Sequence, residues 1–464
     1  MLSSGSIPIS PPATPLFQLA VEQLDARSQN RLRSPKRGGT CVRESRRYLD
    51  ELGIAIVERR RPIQFTPNFD EPVHRWAPYI QGFSASFVQS VLDRYRFEYS
   101  KPRVLDPFAG CGTVLVNAKL NGYESFGVEL NPLLHFMADM KVNSWAVDPA
   151  KLVRAYDNLP PDSLAAEPAF LKSQRQFNHD VLLNLRRAKG AIDSFVPIDE
   201  EETTIKNLLN VAFASILTDC SNLKRTPCLG YCKDKKVEPN APFTLLRNAV
   251  YQIADDLNWI RLMHTEALHT RSQIVCANSM EYEYCDTYDL AITSPPYMNG
   301  LDYVMNYKIE MAWLGFTSSH KEAKAIKDQL VVCDNVSKGL IKRFNASRRY
   351  TNSWIEEIAS SIAQRIQARG RYRRSDMPWI VRKYFDVMYR VMRNVSAALA
   401  PNGRFVLVVG DSLIADTYVP TDLILARIGR ELELSIEGIE LARTRHSGQI
   451  RDYRLRETIV TLRK

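Results

Sequence analysis

The chain has 464 residues, enough for one elaborated domain or two to three smaller ones, and 45% of them are hydrophobic and 25% charged, as in an ordinary soluble globular protein. The first residues lack a basic segment followed by an apolar stretch, and no run of about 18 apolar residues occurs, so we expect neither a signal peptide nor a membrane span. Together with eight scattered cysteines, this indicates a cytoplasmic protein in a reducing compartment, with no membrane partner.

The net charge of +10 is concentrated in two segments. Residues 27–62 hold eleven Lys/Arg against four Asp/Glu, and residues 316–385 hold fifteen against six. Concentrated charge of one sign favours a polyanion partner, and the alternative is a solvated basic face.

Residues 1–62 are expected to form a flexible basic N-terminal region. The first thirteen are rich in Ser and Pro, residues 16–24 suit a short helix, and residues 27–40 suit a basic arm. Residues 46–57 have the pattern of an amphipathic helix with Tyr48, Leu49, Leu52 and Ile56 inward. In the aromatic stretch that follows, Phe83 and Phe87 are expected in the core, and His74 is expected to be structural.

Residues 104–129 have the pattern of a strand, a glycine turn, a helix and a second strand. Gly110 and Gly112 allow the backbone to approach a ligand closely, but Leu115 replaces the third glycine of the dinucleotide fingerprint. Glu129 follows Asp106 at about the spacing expected of a carboxylate that binds ribose hydroxyls. A nucleoside cofactor without a pyrophosphate, such as S-adenosylmethionine, therefore fits better than NAD.

Residues 150–271 show helical periodicity over 167–190, 203–218 and 243–263, and they interrupt the α/β pattern as an insertion. Three cysteines at positions 220, 228 and 232 suggest zinc, but a structural zinc site needs four ligands at tighter spacing. We therefore expect no metal. A basic loop that contacts nucleic acid through Lys224 and Arg225 is favoured instead.

The stretch from residue 288 to residue 297 is the second motif. A strand at 273–278 is followed by a strand at 288–293, which must end at Pro295 and Pro296 because proline lacks an amide hydrogen. An exocyclic amine could donate to the Ser294 hydroxyl and the Pro295 carbonyl while its ring stacks on Tyr297. The alternative is an ordinary strand that ends at proline.

The remainder completes the α/β pattern. Residues 317–377 form a basic insertion, in which a loop with four arginines is a candidate DNA contact (Arg369, Arg371, Arg373 and Arg374). A long helix follows at 378–399, then a strand at 404–410, a helix at 421–432 and an antiparallel pair at 433–445 and 456–462.

Taken together, Asp106-Pro107-Phe108-Ala109-Gly110-Cys111-Gly112-Thr113 and Ser294-Pro295-Pro296-Tyr297 resemble the amino-methyltransferase family of DNA methylases. The serine is similar to the cytosine-N4 branch, since adenine-N6 members more often have Asp or Asn there. The resemblance covers about residues 65–145, 272–316 and 378–464. It implies a Rossmann-like α/β methyltransferase fold, with a mostly parallel sheet and an antiparallel C-terminal strand pair. The parts of that domain would be 63–149, 272–316 and 378–464, with a helical insertion at 150–271 and a basic insertion at 317–377.

The resemblance also implies a function. It is S-adenosylmethionine-dependent methylation of an exocyclic amino group of a flipped DNA base, most simply N4 of cytosine. The context would be restriction-modification or defence, and a protein of such a system is a candidate partner. The catalytic residues would be Ser294, Pro295, Pro296 and Tyr297. The cofactor-binding residues would be Asp106, Pro107, Phe108, Gly110, Gly112, Thr113, Glu129 and Asn278, with Trp76, Tyr79 and Gln81 folded over the methionine end.

Four alternative functions compete with this one. Cytosine-C5 methylation needs a thiolate nucleophile, and the only Pro-Cys pair, at Cys228, is followed by Leu229 where that family has Gln. Adenine N6 remains open as the target. RNA methylation is less favoured because residues 1–100 contain no recognisable RNA-binding module. A catalytically idle DNA-binding subunit is disfavoured by the intact motifs.

Overall fold

The computed structural model describes residues 41–59, 66–77, 79–80, 82–96, 98–161, 163–226, 228–298, 300, 302–330, 340–341, 344, 350–370, 372, 374–447 and 453–464. The expected helix at 16–24 and the basic arm at 27–40 lie outside these residues, as do Gln81, Arg371 and Arg373.

The centre of the fold is a β-sheet. The described strands are β1 (Ile56–Glu58), β2 (Val104–Asp106), β3 (Ser125–Glu129), β4 (Leu223–Arg225), β5 (Leu229–Tyr231), β6 (Ser272–Cys276), β7 (Tyr288–Thr293), β8 (Leu399–Gly410), β9 (Ser412–Ile414), β10 (Thr417–Val419), β11 (Ser435–His446) and β12 (Arg454–Arg463). Eight of them form one sheet in the order β1-β11-β12-β8-β7-β2-β3-β6. The strands from β8 to β6 are parallel, and β12 is antiparallel to both β8 and β11. This confirms the expected fold, a mostly parallel sheet with an antiparallel C-terminal pair.

The strand order reverses beside β2. From β2 the chain moves to β3 and then β6 on one side, and it returns to β7 and β8 on the other side. In open α/β sheets, ligands bind at such a switch point, outside the carboxyl ends of the strands. Asp106 ends β2 and Ser294 follows β7, so both sequence motifs lie at this position.

Helices cover both faces of the sheet. They are α1 (Cys41–Leu52), α2 (Ala85–Tyr95), α3 (Thr113–Leu120), α4 (Pro132–Asn143), α5 (Pro149–Asp157), α6 (Ser173–Gln176), α7 (His179–Ser194), α8 (Glu200–Cys220), α9 (Ala241–Met263), α10 (Tyr303–Asn306), α11 (Lys308–Trp313), α12 (His320–Gln329), α13 (Ser353–Arg369), α14 (Met377–Ala398) and α15 (Thr421–Glu431), with 3₁₀ helices at Thr66–Phe69, His74–Trp76 and Thr265–His269. Among these described helices, none is both long and apolar enough to cross a lipid bilayer.

Successive side chains of the central strands enter two different cores, as the two-residue period of a strand requires. Val104 and Leu290 pack with α2, α3 and the helices α7, α8 and α9, whereas Leu105 and Ala291 pack with α13, α14 and α15. The two insertions therefore lie on opposite faces of the sheet. The turn of residues 294–297 follows β7 at the sheet edge and lies between them; it is called the catalytic turn after the sequence prediction.

The N-terminal region differs from the expectation. A flexible segment to residue 62 was predicted, with a helix over 46–57, but α1 ends at Leu52 and Gly53 takes a left-handed φ of 63°. The chain then forms the edge strand β1, which pairs with β11 in parallel through Ile56 and Ile439. The strand was missed because its three residues owe their conformation to a distant partner strand rather than to a local pattern.

A buried ionic network supports the end of β8 next to the catalytic turn. Arg456 in β12 is 4% exposed, and its guanidinium contacts Asp411 at 3.2 Å, Asp422 at 3.1 Å and Ser45 Oγ at 2.9 Å. It therefore links α1, the end of β8 and α15. Burial and the neighbouring Asp422 raise the pKa of Asp411.

Arg456→Met should lower the free energy of unfolding by about 3–5 kcal/mol, because two buried carboxyl groups lose their common cation. Urea denaturation measures this change. Arg463→Met, which removes an exposed arginine from the same strand, should cost less than about 1 kcal/mol. Equal losses in the two variants would contradict a supporting role for the network.

Candidate active site

The two sequence motifs are joined by one carboxylate at the switch point. Asp106 is buried, and its Oδ1 accepts hydrogen bonds from Thr293 Oγ1 at 2.6 Å and from the amide of Phe108 at 3.0 Å. The first bond connects the end of β2 to the last residue of β7. The second fixes the turn that leads to the glycines.

A second carboxylate shapes the glycine turn. Glu129 Oε2 accepts from the amide of Gly110 at 2.9 Å, and its Oε1 accepts from the amide of Asn131 at 2.7 Å. Gly110 and Gly112 have φ values of 53° and 84°, which favour glycine. A Cβ atom at Gly110 would lie 2.9 Å from Tyr79 Oη, so the backbone and this ring are in close approach.

Two cavities adjoin this turn. The first has an empty volume of about 560 Å³ and the second about 340 Å³, in both cases including space that is open to solvent. The first is lined by Glu129, Leu130, Asn131 and Asn278, and the second by Asp106, Gly110, Cys111 and Thr113. Both are lined by the same four residues, Tyr79, Phe108, Ser294 and Tyr303. Ser294, the predicted catalytic serine, thus lies where the two cavities meet.

Burial controls the electrostatics of these cavities. Removal from water raises the pKa of Asp106 to about 7 and that of Glu129 also to about 7, although their hydrogen bonds act in the opposite direction. Burial likewise raises the pKa of Tyr303 to about 12 and that of Tyr79 well above its usual value. The Tyr79 and Tyr303 side chains in the walls are therefore uncharged phenols, whereas the carboxyl groups of Asp106 and Glu129 change charge near neutral pH.

Other predicted cofactor residues support the same walls. The Pro107 carbonyl accepts a hydrogen bond from Ser279 Oγ, and Asn278 Oδ1 accepts from the amide of Met280 at 3.1 Å. Thr113 begins α3 and is buried. These contacts tie the strand end after β6 to the turn after β2, so Asn278 is held beside Glu129.

Trp76 does not take the predicted role at the methionine end. Its ring is 2% exposed, and its Nε1 donates to Asp256 Oδ2 in α9 at 2.8 Å. Asp256 also accepts from the amide of Val73 at 2.8 Å and from the guanidinium of Arg75. The helical insertion therefore fixes the position of the segment that carries Tyr79. Of the two candidates from this segment that the structure describes, Trp76 and Tyr79, Tyr79 lines the cavities.

A buried lysine also binds the segment that carries Tyr79. Lys141 Nζ donates to the carbonyls of His74 at 2.9 Å and Ala77 at 3.4 Å, and burial lowers its pKa. Burial, with a smaller effect of Lys141, lowers the pKa of His74 to about 3. His74 is thus a neutral, buried side chain, in keeping with a structural role.

Sequence reasoning gave Tyr303 no role at the site. Its ring stacks on that of Tyr79 at 5.7 Å between centroids, and the Tyr307 ring stacks on that of Tyr79 at 6.3 Å. The i, i+4 spacing of the two tyrosines, six residues after the catalytic turn, is the signal that could have found them. Gln329 and Leu330, from the basic insertion, also line the first cavity and had no such signal.

Tyr297 is fixed on the C-terminal strands. Its hydroxyl donates to Glu457 Oε1 in β12 at 2.6 Å, and a Cβ atom at Gly410 would lie 2.9 Å from its ring. The Arg445 guanidinium lies 5.9 Å from the ring centroid. Burial and the neighbouring Glu457 raise the pKa of this tyrosine well above its usual value. The ring is held in one position beside Ser294.

The predicted DNA contacts divide into exposed and internally paired side chains. Lys224 is exposed, whereas Arg225 forms an ion pair with the buried Glu310. Arg369 pairs with Asp416, and Arg374 pairs with Asp376 at 2.6 Å. Arg225 is therefore an anchor, and Arg369 and Arg374 are each paired with an acidic residue of the same chain. Among the residues with described positions, no group of three or more His, Cys, Asp or Glu is arranged to hold a metal ion.

Comparisons with known proteins find relatives that cover most of the chain. No family model matches the chain. It is 25% identical over 438 residues, 85% of each chain, to the type II methyltransferase M.AvaI of Nostoc sp.. It is also 22% identical over 441 residues to the type II methyltransferase M.BsoBI of Geobacillus stearothermophilus, covering 83% of this chain and 84% of that one. A third relative, the type II methyltransferase M.MvaI of Kocuria varians, is 22% identical over 409 residues, which are 82% and 86% of the two chains. The protein is thus similar over most of its length to type II methyltransferases.

Proposed function

We propose that this protein is an S-adenosylmethionine-dependent DNA methyltransferase that modifies an exocyclic amino group, N4 of cytosine, in a restriction-modification setting. The observation that carries the proposal is that Ser294 lines both cavities at the switch point. The similarity to type II methyltransferases over most of the chain supports it. The choice of cytosine rests on the serine that begins the catalytic turn.

The residues of the two cavities fit the cofactor. Glu129 would accept from the ribose hydroxyls, and Asn278 would lie along the adenine ring in the larger cavity. Asp106 uses only Oδ1 in its two bonds, so Oδ2 would accept from the ammonium group of the methionine end in the smaller cavity. The close approach of Gly110 to Tyr79 leaves no room for a side chain in this cradle. When bound, the sulfonium of S-adenosylmethionine supplies an electrophilic methyl group.

The catalytic turn would orient the acceptor amine. The lone pair of an aromatic amine is delocalised into the ring, so the nitrogen is a poor nucleophile in its planar form. Hydrogen bonds from the amine to Ser294 Oγ and the Pro295 carbonyl would favour a pyramidal nitrogen with its lone pair aimed at the methyl group. Positioning supplies most of the rate enhancement in this scheme, and no covalent intermediate forms.

The target base must leave the duplex to reach Ser294, because its amine is hidden by pairing and stacking. Tyr297 would stack on the extruded base, and its anchor on Glu457 keeps the ring in place before the base arrives. Stacking of this kind contributes about 1–3 kcal/mol per base. The rigid prolines at 295 and 296 would keep the serine, the carbonyl and the ring in a fixed relation.

Gly110→Ala should weaken S-adenosylmethionine binding by about 1–3 kcal/mol, since the added methyl group would displace Tyr79. Isothermal titration calorimetry measures the loss. Gly122→Ala is the matched control, because Gly122 also has a positive φ of 73° but meets nothing within 4 Å. Equal cofactor affinity in the two variants would contradict the cradle.

Cofactor affinity should rise with pH between about 6 and 8. Burial raises the pKa of Glu129 to about 7, so the carboxyl is largely protonated below that pH and largely ionised above it. The ionised form accepts more hydrogen bonds from ribose hydroxyls, and the affinity therefore increases as the proton leaves. Glu129→Gln should bind more weakly and show a smaller pH dependence, because Asp106, whose pKa is also about 7, still titrates in this range. A wild-type affinity that is flat from pH 6 to pH 8 would contradict the role of Glu129.

Mass spectrometry of nucleosides from DNA treated with the purified protein should show N4-methylcytosine. Ser294→Ala should lower turnover by about 10²-fold or more while cofactor affinity stays unchanged, because the hydroxyl contacts only the base. Ser100→Ala, an exposed serine before β2, is the control and should have full activity. N6-methyladenine as the sole product would overturn the choice of base, and the absence of any methylated nucleoside would overturn the function.

A further inference from the structure

The hairpin of β4 and β5 is an exposed basic element. Its two strands pair in antiparallel register between α8 and α9, with Leu223 opposite Tyr231. Lys224, Lys233 and Lys236 are exposed, and Tyr231 is 49% exposed. None of these three lysines forms an ion pair with another described residue. Asp234 is the exposed acidic residue between two of them.

The position of the hairpin is fixed by a buried anchor in its first strand. The Arg225 guanidinium pairs with Glu310 in α11, donates from Nε to the Asn306 carbonyl at 3.0 Å, and lies 4.6 Å from the ring centroid of Tyr307. On the second strand, the amide of Leu229 donates to Asn306 Oδ1 at 2.7 Å. Both strands are therefore fixed to the helices that follow the catalytic turn.

This anchor places the hairpin beside the cavities. Tyr307, under the Arg225 guanidinium, is 6.3 Å from Tyr79, and Tyr79 is 5.7 Å from Tyr303. Tyr79 and Tyr303 line both cavities. The hairpin is thus connected to the cavity walls through the stacked rings of Tyr307 and Tyr79.

The exposed end of the hairpin has the chemistry of a phosphate-binding surface. Arg175 lies 4.6 Å from the ring centroid of Tyr231, so a cation and an aromatic ring are presented together. Arg175 and the three lysines make four exposed cations, against three exposed acids nearby in the chain, Asp219, Asp234 and Glu238. In contrast, Arg369 and Arg374 of the basic insertion are paired with acidic residues of their own chain.

We infer that the β4–β5 hairpin docks on the sugar-phosphate backbone of duplex DNA beside the extruded base, and that Arg225 is a positioning residue which fixes the hairpin to the active-site helices. The inference rests on the proposed DNA methyltransferase function. Lys224, Lys233 and Lys236 contact phosphates, and Tyr231 with Arg175 packs against the backbone. Such contacts are independent of sequence and release counterions.

The first test compares Lys224→Ala/Lys233→Ala/Lys236→Ala with a control that loses the same charge at the opposite edge of the sheet, Arg96→Ala/Lys101→Ala/Arg271→Ala. Binding to a duplex of random sequence is measured by fluorescence anisotropy over a salt series. The hairpin variant should bind more weakly, and the slope of log affinity against log salt should fall by about 0.9 per lost contact, up to about three units. The control should keep the wild-type slope, and both variants should keep wild-type cofactor affinity.

The second test uses the native cysteines of the wild-type protein. Cys228, between the two strands, and Cys285, before β7 at the opposite edge, are both exposed. DNA should slow alkylation of Cys228 by iodoacetamide at least severalfold and leave the rate at Cys285 unchanged.

The outcomes separate this inference from the function on which it rests. If the wild type binds DNA while the hairpin variant keeps the wild-type slope and Cys228 is not protected, the inference is wrong and the function stands. If the wild type neither binds nor methylates duplex DNA, both are wrong. Loss of DNA binding in Arg225→Met with its cofactor affinity kept would further support the positioning role.

Discussion

The hydrogen bond from Thr293 Oγ1 to Asp106 Oδ1, 2.6 Å long and fully buried, is the contact on which the site depends. It joins the last residue of β7 to the last residue of β2 at the point where the strand order reverses. Because both groups are removed from water, loss of either would leave a buried polar partner unsatisfied. The bond therefore sets the distance between the glycine turn and Ser294, and so the place where the two cavities meet.

The helical insertion completes a site that the sheet edge alone would leave open. Asp256 of α9 accepts hydrogen bonds from the amide of Val73, the guanidinium of Arg75 and the indole of Trp76. Lys141 donates to the carbonyls of His74 and Ala77 in the same segment. This segment carries Tyr79 to its position over the glycine turn. The insertion thus stabilises one wall of the cavities, while its β4–β5 hairpin extends from the same wall towards solvent.

Local signals in the sequence predicted the central strands correctly, because proline, glycine and strand-end acids specify within a few residues where these strands end. Features set by distant partners were not predictable in this way. Trp76 was assigned to the cofactor because its partner, Asp256, is 180 positions away. Arg225 was assigned to DNA because Glu310, which buries and neutralises it, lies 85 positions later. Tyr303 was missed because a helical aromatic pattern does not distinguish a cavity wall from a core.

The central claim is that the two cavities form one cofactor site that opens on Ser294. A crystal structure with S-adenosylhomocysteine tests it most directly. The account predicts ribose hydroxyls on the Glu129 carboxylate, adenine along Asn278, and the sulfur directed to the junction that Ser294 lines. A ligand bound away from Glu129, or one whose sulfur is separated from Ser294 by the glycine turn, would contradict it.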